Sequence, residues 1–156
     1  MLPDRLTALS EQLAEVHQGL RERLAALRGE VAAGPAVAGP GAGDLPGHCL
    51  SFCAAVHTHH TGEDGQLFPA LLAAHPELAP VIAQLAEDHT LVAGILARIR
   101  DLLATPADPG TLGRELAGLT AILESHFGFE ERRIAAALDT LGPAARFPEV
   151  FTVDAG

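Results

Sequence analysis

Histidine and glutamate interrupt an apolar helical pattern in four separate stretches of the sequence. In each stretch apolar residues recur at spacings of three and four, which is the repeat of one face of an α-helix. The interrupting residues occupy positions where that face would enter a hydrophobic core: His17, His59 with Glu63, His89, and His126 with Glu130. Any fold that buries these apolar faces therefore has to bury ionisable groups from all four helices.

The pattern predicts an all-α protein with an up-down-up-down four-helix bundle, in which short connections keep neighbouring helices antiparallel. The helices are expected over about residues 3–31, 44–74, 81–104 and 109–142. Aromatic residues make up only 4% of the chain, and leucine and alanine dominate, which is typical of helical rather than β-sheet proteins.

Glycine and proline predict where the helices are interrupted. The stretch at 32–43 combines both residues and is expected to form a flexible loop within a bundle of residues 1–142, followed by a loosely packed tail at 143–156. Pro69 predicts a kink or distorted turn, because proline lacks a backbone donor and crowds the carbonyl of Gly65. Gly62 and Gly65 weaken the same helix beside the polar residues, which indicates close approach of a small ligand or of neighbouring backbone.

Charge and hydropathy exclude several classes of partner. The net charge is −10, and the ten basic residues, all arginine, form no stripe, so nucleic acid is not an expected partner. No apolar run reaches the ~20 residues of a membrane span, and the first residues do not resemble a signal peptide. We expect a cytoplasmic protein that does not bind membranes. Cys49 and Cys53 are expected to be small buried side chains, since free cysteine is usually buried.

The buried histidines and glutamates need compensation, because a buried carboxylate without a partner costs several kcal/mol. Histidine and glutamate four residues apart share a helix face and can pair with each other, as they would in a metal-free interaction module. Since every helix contributes, we favour metal ions at the centre of the bundle. Imidazoles combined with carboxylates that can bridge fit a pair of iron ions best. The sequence contains neither the Glu-x-x-His repeats of ferritin-like proteins nor the HExxH motif of zinc hydrolases.

This combination resembles the motif of the hemerythrin-like (HHE cation-binding) family. His17, the pair His59 and Glu63, His89, and the pair His126 and Glu130 occur one group per helix and in the family's order, over about residues 3–142. The resemblance implies a four-helix bundle that holds two non-haem iron ions with a bridging oxo or hydroxo group. Members of the family carry or sense dioxygen, or handle peroxide, nitric oxide or iron.

The sequence departs from the oxygen-carrying hemerythrins at two positions. The carriers have a second histidine on the third helix where this chain has Ala93, and an aspartate five residues after the last histidine where this chain has Glu130 at four. His60 is either a fifth imidazole ligand or a partly exposed histidine paired with Asp64. Counted over two six-coordinate irons that share two bridging glutamates and one bridging oxygen species, one position stays open if His60 is a ligand, as in the carriers, and two stay open if it is not.

These features predict a di-iron protein that binds or reduces small oxidants. Peroxide is the first candidate, ahead of dioxygen and nitric oxide, and a catalase- or peroxidase-like activity is possible on this prediction. A non-catalytic sensor or carrier and an oxygenase or oxidase acting on an organic substrate are the alternatives. The chain has no tyrosine or tryptophan, so a radical on either side chain is excluded. The acceptors expected to orient the imidazoles are among Glu87, Asp88, Glu124 and Glu131.

Overall fold

The computed structural model describes residues 7–34, 44–105, 108–142 and 146–151, and these contain helices and no strand. The elements are α1 (Leu9–Ala33), α2 (Leu45–Gly62), a π-helical turn (Glu63–Leu67), α3 (Phe68–Ala74), a 3-10 turn (Pro76–Leu78), α4 (Ala79–Ala104), α5 (Pro109–Thr140) and α6 (Pro148–Phe151). The helix α2, the π-helical turn and α3 follow one another without a break. Together with α1, α4 and α5 they form the predicted up-down-up-down bundle.

Two apolar cores lie at opposite ends of this bundle. One contains Leu20, Phe52, Val92 and Leu119, and the other contains Leu13, Leu67, Leu85 and Ile134. The chain passes between the two cores four times, once along each long helical segment, and successive passes run in opposite directions. Helices α1 and α4 each pack against both α2 and α5. All the buried polar residues of the described chain lie along these passes between the two cores.

The π-helical turn is the distorted turn that Pro69 predicts. Its widened hydrogen bond runs from the backbone N–H of Phe68 to the carbonyl of Glu63, five residues earlier. Proline at 69 has no N–H to donate, and its ring would crowd the carbonyl of Gly65 in a regular α-helix. A single π-helical turn removes this conflict without ending the helix, and such turns are often found at functional sites.

The start of the first helix differs most from the prediction. Helix α1 begins at Leu9, not at Pro3, because the backbone of Ala8 is extended (φ −61°, ψ 147°). Pro3 itself and most of the predicted loop at 32–43 lie outside the described residues. The predicted N-cap of α5 is confirmed, since the Asp108 carboxylate accepts a hydrogen bond from the backbone N–H of Gly110 at 3.3 Å.

The prediction of a loosely packed C-terminal tail is wrong for the part that the structure describes. Val150 is fully buried and belongs to the same apolar core as Leu67 and Ile134. Helix α6, which carries it, packs against α2, the π-helical turn and α1. A four-residue segment leaves no periodic pattern, so its apolar residues gave no signal of this docking.

Two further expectations concern single features. Cys49 and Cys53 are buried as free thiols in the core that contains Phe52, which confirms the prediction. Among the described residues, no helix combines the length and apolar character that crossing a membrane requires.

Candidate metal centre

The residues predicted as ligands converge between the two apolar cores. They form two groups whose side-chain nitrogen and oxygen atoms lie within 4.8 Å of one another. One group consists of His60, Glu63, His89 and His126, and the other consists of His17, His59, Glu63 and Glu130. The structure therefore brings together all seven side chains, from α1, α2, the π-helical turn, α4 and α5, and Glu63 belongs to both groups.

The two glutamates lie between imidazoles from different helices. Glu63 Oε1 is 3.0 Å from His89 Nε2, and Glu63 Oε2 is 3.4 Å from His59 Nε2. Glu130 Oε1 is 3.4 Å from His17 Nε2 and 3.5 Å from His126 Nε2. Each carboxylate is thus within reach of both sides of the centre, as a bridging ligand has to be.

The inward-facing atoms of this centre have no hydrogen-bond partner. In the described part of the chain, every fully buried side-chain nitrogen or oxygen without a partner belongs to the seven residues: the five histidine Nε2 atoms and the four glutamate oxygens. Leaving one such group unsatisfied costs about 1–3 kcal/mol, and more if it is charged. Cations bound between these atoms would satisfy all of them at once, and imidazole with carboxylate is a suitable donor set for iron or zinc.

His60 lies within the centre and not on the surface. Its ring is 5% exposed and stacks on the ring of His89, with centroids 3.8 Å apart and an interplanar angle of 11°. The alternative interpretation, a partly exposed histidine paired with Asp64, is wrong, because the Asp64 carboxylate accepts a hydrogen bond from His89 instead. Whether His60 binds metal stays a prediction.

Four of the imidazoles donate from Nδ1 to an acceptor outside the centre. His17 donates to Glu131 at 2.7 Å and His126 to Asp88 at 3.0 Å, which confirms two of the four predicted acceptors. His89 donates to Asp64 at 2.9 Å, and His59 donates to the backbone carbonyl of Val150 at 2.7 Å. A proton on Nδ1 leaves the Nε2 lone pair free, so these bonds select the tautomer that can bind a metal at Nε2.

The other predicted acceptors do not reach an imidazole. Glu124 pairs with Arg21 at 3.1 Å on the surface, and Glu87 is exposed. Sequence reasoning missed the role of Asp64, although its position next to Glu63 on a helix was a usable signal. It also missed Val150, since a backbone carbonyl carries no side-chain signal.

Burial lowers the pKa of His59, His60 and His89 and so favours their neutral form. Burial lowers the pKa of His59 to about 4, and it lowers the pKa of His60 well below the usual value, with a further contribution from His89. Burial also lowers the pKa of His17, but the carboxylates of Glu130 and Glu131 outweigh this effect and raise it overall. Neutral imidazole is the form that coordinates a metal ion.

The pKa values of the two glutamates are shifted in opposite directions. Burial and the neighbouring Glu130 carboxylate raise the pKa of Glu63 well above its ordinary value. Burial also acts to raise the pKa of Glu130, but the Glu63 carboxyl and the His17 imidazole outweigh it and hold this pKa well below its ordinary value. The pair therefore retains one proton in the absence of a cation, because ionising two adjacent carboxylates in a dry interior has a large free-energy cost.

A cleft of about 220 Å³ reaches the centre from the surface between α2 and α4. Its lining includes His60, His89, Asp64 and Ala93. Ala93 is the position at which the oxygen carriers have a second histidine, so the smaller side chain leaves open space beside His60 and His89.

The comparisons with known proteins identify the family. A family model described as the hemerythrin HHE cation binding domain matches residues 8–138, a range that includes all seven residues of the centre. No curated protein and no solved structure matches the chain. On the strength of that match and of its buried histidine and glutamate cluster, which can hold metal, the chain belongs to the hemerythrin HHE cation-binding domain family.

Proposed function

We propose that this protein holds two non-haem iron ions between its helices and uses them to bind or reduce small oxidants. Peroxide is the first candidate, followed by dioxygen and nitric oxide. The observation that carries the proposal is the set of nine buried, inward-facing nitrogen and oxygen atoms without hydrogen-bond partners, arranged in two groups that share Glu63.

The donor set favours a pair of iron ions over a single zinc ion. A zinc site is filled by four ligands, whereas this centre offers five imidazoles and two carboxylates that reach both of its sides. Imidazole and bridging carboxylate suit iron. When bound, a pair of irons would supply two redox-active positions that accept and return electrons during reduction of an oxidant.

The imidazoles are unequally divided, which indicates where an oxidant would bind. His60, His89 and His126 belong to one group, while His17 and His59 belong to the other. Since Glu63 and Glu130 each reach imidazoles of both groups, the ion beside His17 and His59 would have fewer protein ligands. Phe127, which is fully buried, stacks on the His17 ring with centroids 3.9 Å apart. This apolar ring keeps water away from the face of His17 that it covers.

An oxygenase acting on an organic substrate is less well supported. Pockets for organic ligands usually have volumes of ~300–1,000 Å³, and the cleft at His60 and His89 has about 220 Å³. Peroxide needs no such pocket, and its disproportionation into dioxygen and water requires no other substrate.

Metal content tests the first part of the proposal. Protein purified without added metal is expected to contain about two irons per chain, because both groups of ligands are preformed, and to show near-ultraviolet absorption from oxygen ligands bound to ferric iron. One zinc ion per chain, or no metal after anaerobic incubation with ferrous iron, would overturn it.

Peroxide consumption tests the second part. The iron-loaded wild-type protein is compared with His126→Ala, which removes an imidazole of the centre, and with His48→Ala as the matched control. His48 is exposed and pairs with Glu30 at 3.0 Å, away from the centre. Consumption is expected to be lost in His126→Ala and unchanged in His48→Ala. Equal rates in all three proteins would end the enzymatic proposal, and tight nitric oxide or dioxygen binding would then identify a carrier or sensor.

A further inference from the structure

Helix α6 lies outside the matched family domain, yet it touches the centre. The family match ends at residue 138, and α6 spans Pro148–Phe151. The backbone carbonyl of Val150 accepts the hydrogen bond from Nδ1 of His59 at 2.7 Å. This carbonyl is the only acceptor for His59 Nδ1 among the described residues, and it comes from a segment 91 residues further along the chain.

We infer that α6 is a positioning element of the metal centre, whose docking holds the His59 imidazole in its ligating orientation. The inference rests on the proposed function, since it assigns α6 to the ion beside His17 and His59. The other three bonded imidazoles donate to the side chains of Glu131, Asp64 and Asp88, whose helices are part of the bundle itself. Only His59 depends on a segment that has to dock separately.

Gly62 makes this docking possible. A Cβ added at Gly62 would lie 2.9 Å from Glu149 Cβ and 3.2 Å from the backbone carbonyl carbon of Glu149. Gly62 has ordinary helical angles (φ −64°, ψ −40°), so its backbone conformation does not require glycine. The close approach of α6 does, and this confirms the expectation of neighbouring backbone at Gly62. The same expectation is wrong for Gly65, where an added Cβ would meet no heavy atom within 4 Å.

Two further contacts hold α6 in register with α2 and the π-helical turn. The Val150 side chain is fully buried, and Gln66 donates a hydrogen bond to the Glu149 carboxylate at 3.3 Å. The carbonyl of Val150 is therefore positioned by the buried side chain of its own residue and by a polar contact one residue earlier.

The matched pair Gly62→Ala and Gly65→Ala tests the inference in the full-length chain. Alanine favours helix more than glycine does at both positions. A Cβ at Gly65 meets no heavy atom within 4 Å, whereas a Cβ at Gly62 must displace the backbone of α6. Only Gly62→Ala is therefore expected to lengthen the hydrogen bond from His59 to Val150.

The first readout is the binding and release of ferrous iron under anaerobic conditions. Loss of the acceptor for a ligating histidine typically lowers metal affinity about 10- to 100-fold. In Gly62→Ala one of the two ions is expected to bind correspondingly more weakly and to reach a chelator faster, while the second keeps its wild-type behaviour. Gly65→Ala is expected to match the wild type for both ions.

The second readout is the imidazole N–H signals in proton NMR spectra of the zinc-loaded protein. The wild type and Gly65→Ala are expected to show slowly exchanging signals for the bonded Nδ1 protons, and Gly62→Ala is expected to lose or shift the one from His59. A purely structural role of α6 would lower stability without moving this signal selectively.

The outcomes separate this inference from the proposed function. If wild-type protein binds no pair of ions, the proposed function fails. If wild type and Gly62→Ala bind both ions equally and keep the same N–H signals, only the role of α6 is overturned. Should Gly62→Ala not fold, Val150→Ala decides, since it keeps the carbonyl but loosens its anchor. Faster release of one ion supports the inference, and wild-type release of both overturns it.

Discussion

At the scale of single residues, the centre is built from imidazoles whose two nitrogens have separate tasks. In His126 the Nδ1 proton is donated to Asp88, while Nε2 faces inward without a partner. The hydrogen bond from Nδ1 determines the tautomer and holds the ring in place. The lone pair of Nε2 is then available to bind a cation. The acceptor is therefore important for metal binding, although it does not itself face the bound cation.

Substitution of Asp88 is expected to weaken metal binding without touching a proposed ligand. Asp88→Ala removes the acceptor of His126 and should lower iron affinity about 10- to 100-fold, as measured by anaerobic titration with ferrous iron. Asp88→Asn keeps an acceptor oxygen and should recover most of the affinity. Glu87→Ala is the control, since Glu87 is the exposed neighbour. A loss of equal size in Glu87→Ala would show that the effect is general electrostatics.

The cysteines provide a second prediction at this scale. Burial raises the pKa of the Cys49 thiol to about 11, with smaller contributions from Cys53 and Glu30, and burial also raises the pKa of Cys53. A raised pKa keeps a thiol protonated, so at pH 8 only roughly one thousandth of Cys49 would be the reactive thiolate. Alkylation of the folded protein should be slow and should speed up as pH rises toward 11.

The unfolded protein is the reference for this measurement. In denaturant both thiols should react at the rate of ordinary cysteine, because the cause of the shift is burial. Rapid modification of the native protein at pH 8 would contradict the buried positions of Cys49 and Cys53.

At the scale of helices, periodicity predicts much of the architecture because each long helix has to turn one apolar face toward the bundle. The interruptions by His17, His89 and His126 fall on the same face as their apolar neighbours, so the polar layer could be expected from the sequence alone. The periodic pattern does not predict that His60 joins the centre, because His60 is one residue away from the helix face that carries His59. Its burial depends on the packing of α2 against α4.

The sequence indicated a close approach at Gly62, but the segment that makes it was beyond sequence reasoning. The docking of α6 relies on a carbonyl at Val150 and on the absence of a side chain at Gly62. Neither produces a repeating pattern. The π-helical turn was indicated by Pro69, but whether the helix would kink, end or widen depended on the neighbouring helices.

The N-cap of α5 allows helix stability to be separated from metal binding. Asp108→Ala removes the acceptor of the Gly110 N–H and should lower the free energy of unfolding by about 1 kcal/mol. Asp108→Ser keeps a capping oxygen and should retain most of the stability. Urea unfolding of the metal-free proteins measures this difference. Iron stoichiometry is expected to stay at the wild-type value in both variants, because the cap lies at the start of α5 and His126 lies well inside it.

At the scale of the whole molecule, two apolar cores enclose a layer that is stable only if its charges and lone pairs are compensated. Without cations the layer keeps nine buried nitrogen and oxygen atoms that lack hydrogen-bond partners. The net charge of the chain is −10, so the bound cations would also reduce the overall repulsion between its charges. Folding and metal binding should therefore be strongly linked.

Removing the metal is expected to lower the thermal stability of the whole bundle. A cation that binds only the folded chain adds about 2.7 kcal/mol when its free concentration is a hundred times its dissociation constant, which corresponds to roughly 5–10 °C in Tm for a chain of this size. Scanning calorimetry with and without a chelator measures the shift. In His126→Ala the chelator should change Tm much less, because that variant has already lost a donor of the centre. If the chelator leaves the wild-type Tm unchanged although the metal has been removed, then the buried histidines and glutamates compensate one another, and the layer is a hydrogen-bonded structural core.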